Sequence, residues 1–140
     1  MTREEIQNLQ EGVETDALIE ETFFGSVPCD KWTPQYSALG NYHTKTSGMC
    51  GHEKCYPIGS PPQYTKNIMA AWLVVEALNK RGVFIALSNN FLNAEEKDWL
   101  KGGFVCEVCT GWDKELDFLQ ADTAPLAICR AAFLAQSAPN

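Results

Sequence analysis

The sequence has little positive charge: 11 Lys and Arg residues stand against 18 Asp and Glu residues, for a net charge of −7. Binding to duplex nucleic acid depends on basic side chains that displace counterions from phosphates, so this balance argues against a duplex-binding protein. The excess of acid is concentrated near the N-terminus, where residues 1–22 hold seven acidic residues and one base, Arg3. The rest of the chain is close to neutral and can accept a small anionic ligand.

Long apolar runs are also missing. No run approaches the roughly 20 residues of a membrane-spanning helix, and residues 1–5 lead into no hydrophobic segment typical of a signal peptide. We therefore expect a cytoplasmic protein without membrane contact. The sequence shows neither a glycine-rich phosphate loop nor a nucleophile beside a histidine, so we do not expect an enzyme. With 140 residues, 45% hydrophobic and 21% charged, the composition is typical of one globular domain over 1–140.

Hydrophobic periodicity predicts the secondary structure. Helices are predicted over 3–22, 65–81 and 124–135, and strands over 83–87, 104–109 and 116–119. Gly12 weakens the first helix, which bends there or begins properly after it, and Gly25 suits its C-terminal cap. The second helix is predicted to begin at a Thr65 cap and to bury Trp72 in the core. The fold class is therefore α/β (α+β), with a small sheet between helices.

A loop insertion at about 26–64 interrupts this pattern. It holds five of the seven prolines and four of the ten glycines, together with three cysteines and both histidines. A structureless loop of this length is improbable in a small domain unless something organises it. Nitrogen and sulfur ligands in a closed set are typical of structural zinc. The candidate ligands are Cys29, Cys50, His52 and Cys55, with His43 as the alternative fourth ligand. The other interpretation is three reduced, unligated cysteines.

The remaining cysteines have a different setting. Cys106 and Cys109 form a Cys-x-x-Cys pattern on a predicted strand, where positions three apart point to opposite faces. We expect core packing for one of them and partial exposure for the other. A shared metal at a turn after the strand is the alternative. Cys129 lies in an apolar helix and is expected to be a core residue rather than a nucleophile.

Arg130 is the charged residue in the otherwise apolar helix predicted over 124–135. An unpaired buried charge is unfavourable, so its guanidinium must meet a carboxylate, a carbonyl, water or a phosphate. Pairing with Asp122 or another acid is the structural interpretation. Binding of a phosphate is the functional one.

Three segments resemble the phage αβα-sandwich domain family. They are residues 15–20 (TDALIE) with Gly25, residues 62–65 (PQYT) leading into 68–76 (IMAAWLVVE), and residues 121–132 (ADTAPLAICRAA). The similar Thoeris anti-defence proteins match in size and layout; they sequester cyclic nucleotide signals of host immunity without cleaving them and act as homo-oligomers. The resemblance thus implies a phage-encoded, non-enzymatic sponge for a cyclic nucleotide or cyclic ADP-ribose-type molecule in the host cytoplasm. The alternative is a zinc-stabilised protein-interaction module of a phage.

A nucleotide on this acidic chain must be held by local cations, stacking aromatic rings and polar groups. The candidate ligand-binding residues are Lys31, Trp32, Lys66, Asn90, Trp112, Asp122 and Arg130. The cations would bind phosphate, the tryptophans would stack, and Asn90 and Asp122 would bind a hydroxyl or a base edge. Rim packing, turn formation and internal ion pairing are the structural alternatives.

Overall fold

The computed structural model describes residues 1–30, 54–89, 103–109 and 117–137. Its elements, in chain order, are α1 (Arg3–Gln7), α2 (Val13–Ile19) with a π-helical extension (Glu20–Phe24), β1 (Val27–Cys29), β2 (Cys55–Pro57), α3 (Ile68–Asn79), β3 (Phe84–Asn89), β4 (Phe104–Cys109), β5 (Asp117–Ala121) and α4 (Ala124–Ser137). This mixture of helices and small sheets confirms the predicted α+β class.

The contacts divide the chain into two units. The first comprises Met1–Glu11 and Tyr64–Asn140, and the second comprises Gly12–Gln63. The insertion predicted at 26–64 thus lies almost entirely in the second unit. That unit contains α2, its π-helical extension and the parallel pair of β1 and β2.

The first unit is organised around an antiparallel sheet in the order β3-β4-β5. Helix α4 packs against all three strands, and α3 packs against α4. Because successive strand residues point to opposite faces, one face of the sheet carries the buried side chains of β4 and β5, which are Cys106, Val108, Leu119 and Ala121. Helix α4 is buried around most of its circumference, as its apolar sequence predicts. The core of this unit therefore lies at α4.

Helix α3 begins at Ile68 rather than at the predicted 65. Its N-cap is Asn67, whose side-chain oxygen accepts hydrogen bonds from the backbone nitrogens of Met69 (2.9 Å) and Ala70 (3.4 Å). The predicted cap, Thr65, is instead fully buried. Both residues can cap a helix, and the helix starts at the one that is followed directly by the apolar run.

The prediction that Trp72 is a core residue is wrong. Its side chain is 52% exposed, and Ile68 is 45% exposed. The buried face of α3 instead consists of Ala71, Val74, Val75 and Leu78. The helix is apolar on nearly every side, so its periodicity does not select the face that packs against α4.

The helix predicted over 3–22 is divided in two, at the glycine that the sequence marks as weak. Helix α1 has a capping box in which Thr2 and Glu5 bond reciprocally, and α2 starts after Gly12, whose φ is 142°. The π-helical extension of α2 ends at Gly25, which adopts the left-handed conformation with φ 69°. The glycine cap predicted there is confirmed.

Strand β4 has the predicted bounds of 104–109. Strand β3 begins one residue after the predicted 83; it lies at the edge of the three-stranded sheet, and Phe84 is 55% exposed. Helix α4 follows the predicted position, and the Thr123 hydroxyl accepts a hydrogen bond from the Leu126 nitrogen (3.4 Å). Within the described ranges, no helix has the length and apolar character needed to span a membrane.

Candidate ligand-binding face and cysteine pair

The sheet of the first unit has a second face, opposite the one that carries the buried residues. We call it the open sheet face. It consists of the alternate residues of β3, β4 and β5, namely Phe84, Ala86, Ser88, Val105, Glu107, Cys109, Phe118 and Gln120. Phe84 is 55% exposed and Phe118 is 37% exposed. Two aromatic rings on the same face of a sheet can serve as stacking platforms for flat ligands.

Phe118 lies beside a cation. The guanidinium carbon of Arg3 is 5.9 Å from the centroid of the Phe118 ring, within the range of a cation–π interaction. Arg3 Nη2 also donates a hydrogen bond to the Phe118 carbonyl oxygen (2.8 Å), and Nη1 forms an ion pair with Asp117. Arg3 and Asp117 are both about half exposed. A positive charge is therefore held next to an exposed ring at the edge of the sheet.

Gln120 is two residues from Phe118 on the same strand. Its side-chain Nε2 is buried and has no hydrogen-bond partner within the described part of the chain. A buried donor without a partner costs about 1–3 kcal/mol, so native proteins retain few of them. Two positions along a strand span about 7 Å. Phe118 and Gln120 therefore lie about 7 Å apart on the same face of the sheet.

The outer edge of β5 is closed by side chains from α1 and α4. Gln7 Nε2 donates to the Gln120 carbonyl oxygen (3.2 Å), and Arg3 donates to the carbonyl of Phe118. Arg130 Nη1 also donates to the Gln120 carbonyl oxygen, at 2.6 Å. Such contacts satisfy backbone groups that an edge strand would otherwise leave open to pairing with another chain.

Arg130 also holds the segment that follows α1. Its Nε and Nη2 donate to the Leu9 carbonyl oxygen at 3.1 and 2.6 Å, and the side chain is buried. Burial lowers the pKa of Arg130, and the nearby charge of Asp122 opposes that shift. The charge thus rests mainly on carbonyl oxygens, one of the options that the sequence left open. These bonds give Arg130 a structural role.

Cys29 and Cys55 are brought together in the second unit. The parallel register pairs Val27 with Cys55 and Cys29 with Pro57. Alternate residues share a face, so Cys29 lies on the same face of the strand pair as Cys55, one diagonal step away. Both cysteines are buried, at 5% and 3% exposure, and neither forms a disulfide. The structure therefore places two predicted zinc ligands on one face of the strand pair.

The other predicted ligands, Cys50 and His52, lie outside the described residues, as does His43. Among the residues that are described, no group of three or more His, Cys, Asp or Glu side chains converges on one point. Zinc binding therefore stays a prediction.

The remaining cysteines behave as predicted. Cys106 is fully buried and Cys109 is partly exposed, which confirms the expected division of the Cys-x-x-Cys pattern. Burial, with a smaller contribution from Glu107, raises the pKa of Cys106 to about 12. Its thiol is protonated at neutral pH and is a poor nucleophile. Cys129 is also fully buried, in agreement with a core role.

Residues 30–133 match the family model of the Phage ABA sandwich domain. The chain belongs to the Phage ABA sandwich domain family. This result confirms the resemblance seen in the sequence. The fold of this sandwich domain is also similar to the crystal structure of a phage protein from Bacillus cereus ATCC 14579, with a TM-score of 0.54 and 21% sequence identity over 95% of this chain and 94% of that chain. No curated protein matches.

The predicted ligand-binding residues of the sandwich domain are only partly described. Lys66 is exposed just before the Asn67 cap, and Asp122 is exposed after β5, close enough to Arg130 to influence its charge. The other four, Lys31, Trp32, Asn90 and Trp112, lie outside the described residues. The ligand role of the whole set therefore stays a prediction.

Phe118, Gln120 and Arg3 were not among the sequence candidates. The sequence predicts a strand over 116–119, and the observed strand β5 covers Asp117–Ala121. The contact of Arg3 with Phe118 joins positions 115 residues apart, and neither residue stands out in its own segment. The unpartnered amide of Gln120 depends on the sheet register, which a single sequence does not reveal.

Proposed function

We propose that this phage sandwich domain binds a cyclic nucleotide signal of host immunity and sequesters it unchanged in the host cytoplasm. The observation that carries the proposal is the placement of an exposed ring, Phe118, beside the buried and unpartnered amide nitrogen of Gln120. Base stacking on an aromatic ring contributes about 1–3 kcal/mol. A base oxygen or ring nitrogen that accepts from Gln120 would relieve its unpaired donor.

The charged side chains near the open sheet face can bind an anionic ligand that carries a polar base. The Arg3 guanidinium lies over the Phe118 ring, and because it is half exposed it can exchange the Asp117 ion pair for a phosphate, since exposed ion pairs contribute little. Glu107 lies directly opposite Phe118 in the sheet register. Its carboxylate can accept from a sugar hydroxyl or a base amino group.

Binding without cleavage is supported by the chemistry of the same face. Hydrolysis of a glycosidic or phosphodiester bond commonly needs a positioned general acid and a general base. In its described part, the open sheet face has one carboxylate, Glu107. Cys106 lies on the other face of the sheet and its pKa is raised to about 12, so its thiol does not supply a nucleophile.

We further propose that copies of the chain associate through the exposed side of α3. There Met69 is 79% exposed, Trp72 is 52% exposed and Ile68 is 45% exposed. Exposed apolar residues clustered on one helix are typical of an interface. Lys66 lies just N-terminal to these exposed residues, and Glu76 lies C-terminal to them on the same helix. In an antiparallel, two-fold arrangement the Lys66 of each copy lies towards the Glu76 of the other, so the surface complements itself.

Calorimetry with a panel of cyclic dinucleotides, cyclic trinucleotides and cyclic ADP-ribose isomers tests the proposed function. We expect one class to bind and to be recovered chemically intact after denaturation of the protein. Recovery of a changed ligand would indicate an enzyme. If no member of the panel binds, the interaction-module alternative becomes the better account.

Variants locate the site. Phe118→Ala should weaken binding about five- to hundredfold, as expected for the loss of one stacked base. Gln120→Leu keeps the size of the side chain and removes the amide donor, so it should also weaken binding. Gln136→Leu makes the same change on the exposed end of α4 and is the matched control. Equal affinity in Gln120→Leu and Gln136→Leu would place the ligand elsewhere.

Light scattering tests the association. The wild-type chain should be an oligomer at micromolar concentration, and Trp72→Glu should dissociate it without unfolding it, since the side chain lies on the surface. A wild-type monomer would refute the proposed contact while leaving the nucleotide proposal open.

A further inference from the structure

We propose that Cys29 and Cys55 are ligands of a single soft divalent metal ion of the zinc class, held on the face of the β1–β2 pair that carries both buried thiols. This inference is independent of the proposed nucleotide site, because that site lies in the other unit of the chain.

The strand register favours a metal site over a disulfide between Cys29 and Cys55. Neighbouring strands are about 4.8 Å apart and two residues along a strand span about 6.6 Å, so the Cα atoms of Cys29 and Cys55, one diagonal step apart, are separated by about 8 Å. A disulfide requires Cα atoms closer than about 7 Å. A metal with sulfur ligands at about 2.3 Å inserts between the two thiols and bridges the longer distance.

The strand pair itself needs reinforcement. Each strand has three residues, and the pairing is parallel, an arrangement that has little stability alone. The two cysteines are separated by 25 residues in the sequence. An ion that binds both would therefore close a long loop and hold the strands in register.

The opposite face of β2 already has a partner. Tyr56 follows Cys55 and so points to the other side of the strand, where its hydroxyl donates a hydrogen bond to the Glu21 carboxylate (2.9 Å). The Val27 nitrogen donates to the Lys54 carbonyl oxygen (3.3 Å) and aligns the start of the pair. The Tyr56 bond therefore lies on the face opposite the one that carries the two thiols.

A structural zinc site has four protein ligands. Cys29 and Cys55 supply two of them. Cys50 and His52 are the sequence candidates for the others; they lie outside the described residues and are tested separately below.

Metal content is the first measurement. Protein purified without a chelator should contain about one zinc per chain, and cobalt should replace it with the near-ultraviolet charge-transfer bands of a thiolate complex. Cys29→Ser and Cys55→Ser should each weaken cobalt binding at least tenfold. Replacing a residue that only hydrogen-bonds to a metal ligand already lowers metal affinity by about that factor. Cys109→Ser removes a partly exposed cysteine of the other unit and should leave the metal content unchanged.

Alkylation of the wild-type chain gives a test that does not depend on folding of the variants. Peptide mass spectrometry should find Cys29 and Cys55 protected from a maleimide until a chelator is added, and then modified together. Wild-type protein that holds no zinc and takes up no cobalt would overturn the proposal. A Cys29–Cys55 disulfide, or metal that survives both serine substitutions, would do so as well. Loss of metal in Cys50→Ser or His52→Ala would add those residues to the ligand set.

Discussion

Replacement of Arg130 by methionine tests the most connected side chain of the first unit. Arg130 is 7% exposed and donates three hydrogen bonds, two to the Leu9 carbonyl oxygen and one to that of Gln120. Methionine keeps an unbranched stem of similar length and removes the donors and the charge. The variant therefore isolates the contribution of the guanidinium.

The expected loss follows from the two acceptors. Hydrogen bonds that involve a charged group contribute about 1.5–3 kcal/mol each, and a buried acceptor left without a partner loses a similar amount. Gln120 retains a second donor, Gln7, at its carbonyl oxygen, so the larger part of the loss comes from Leu9. Relief from burying the charge offsets a fraction of it. We expect Arg130→Met to lower the free energy of unfolding by about 3 kcal/mol.

Urea denaturation followed by circular dichroism measures this change, and the melting temperature should fall by about 10 °C for a chain of this size. Lys80→Met is the matched control: it removes a cation at an exposed position after α3 and should change stability by less than about 0.5 kcal/mol. Arg130→Lys keeps the charge but does not reproduce the fork of donors, so its stability should lie between those of the wild type and Arg130→Met. A loss of less than about 1 kcal/mol in Arg130→Met would refute a clamp at Leu9 and Gln120.

Three further predictions concern single groups. Iodoacetamide at mildly alkaline pH should modify Cys109 well before Cys106, because burial raises the pKa of the Cys106 thiol to about 12; equal rates in the native protein would contradict the burial. Burial and the hydrogen bond to Glu21 raise the pKa of Tyr56 to about 12, so the folded state favours the protonated phenol and stability should fall as the pH rises from about 10 to 12. Difference absorbance against Tyr56→Phe should show one tyrosinate forming with a midpoint near pH 12, and titration near pH 10 would exclude the shift. Gly103→Ala should destabilise the chain by about 1–3 kcal/mol in thermal denaturation, because φ is +88° and the new Cβ would overlap the Ala121 carbonyl oxygen; unchanged stability would exclude this close approach.

The sequence predicts best those elements whose hydrophobic residues repeat with one clear period, either that of a strand or that of a helix. Strand β4 follows Gly103 and alternates buried with partly buried residues, and its predicted and observed bounds agree. Helix α3 shows the limit of this reasoning. Its apolar residues surround the axis, so the contact with α4 determines which side is buried, and Trp72 is left on the surface.

The candidate sites depend on contacts that are distant in the sequence. The grouping of cysteines predicted a shared role for Cys29 and Cys55, and the parallel register adds that they lie on one face. Arg130 was recognised as a charge that needs partners, but its acceptors are backbone carbonyls, which carry no sequence signal. The amide of Gln120 is left without a partner by the three-dimensional arrangement of β5 and its neighbours, and so was invisible in the sequence.

Gln120 connects stability with the proposed function. Its carbonyl oxygen is fixed by Arg130 and Gln7, which hold β5 in place, while its buried side-chain nitrogen has no partner in the described part of the chain. If that nitrogen is a binding group for the ligand, the free protein retains a desolvated donor, which lowers its stability by about 1–3 kcal/mol. Gln120→Leu should then make the free protein more stable by up to about 1 kcal/mol, because it removes the donor and keeps the volume, and it should reduce the thermal stabilisation that the nucleotide gives the wild type. A residue needed only for packing would behave differently: its replacement would destabilise the free protein and leave the stabilisation by nucleotide unchanged.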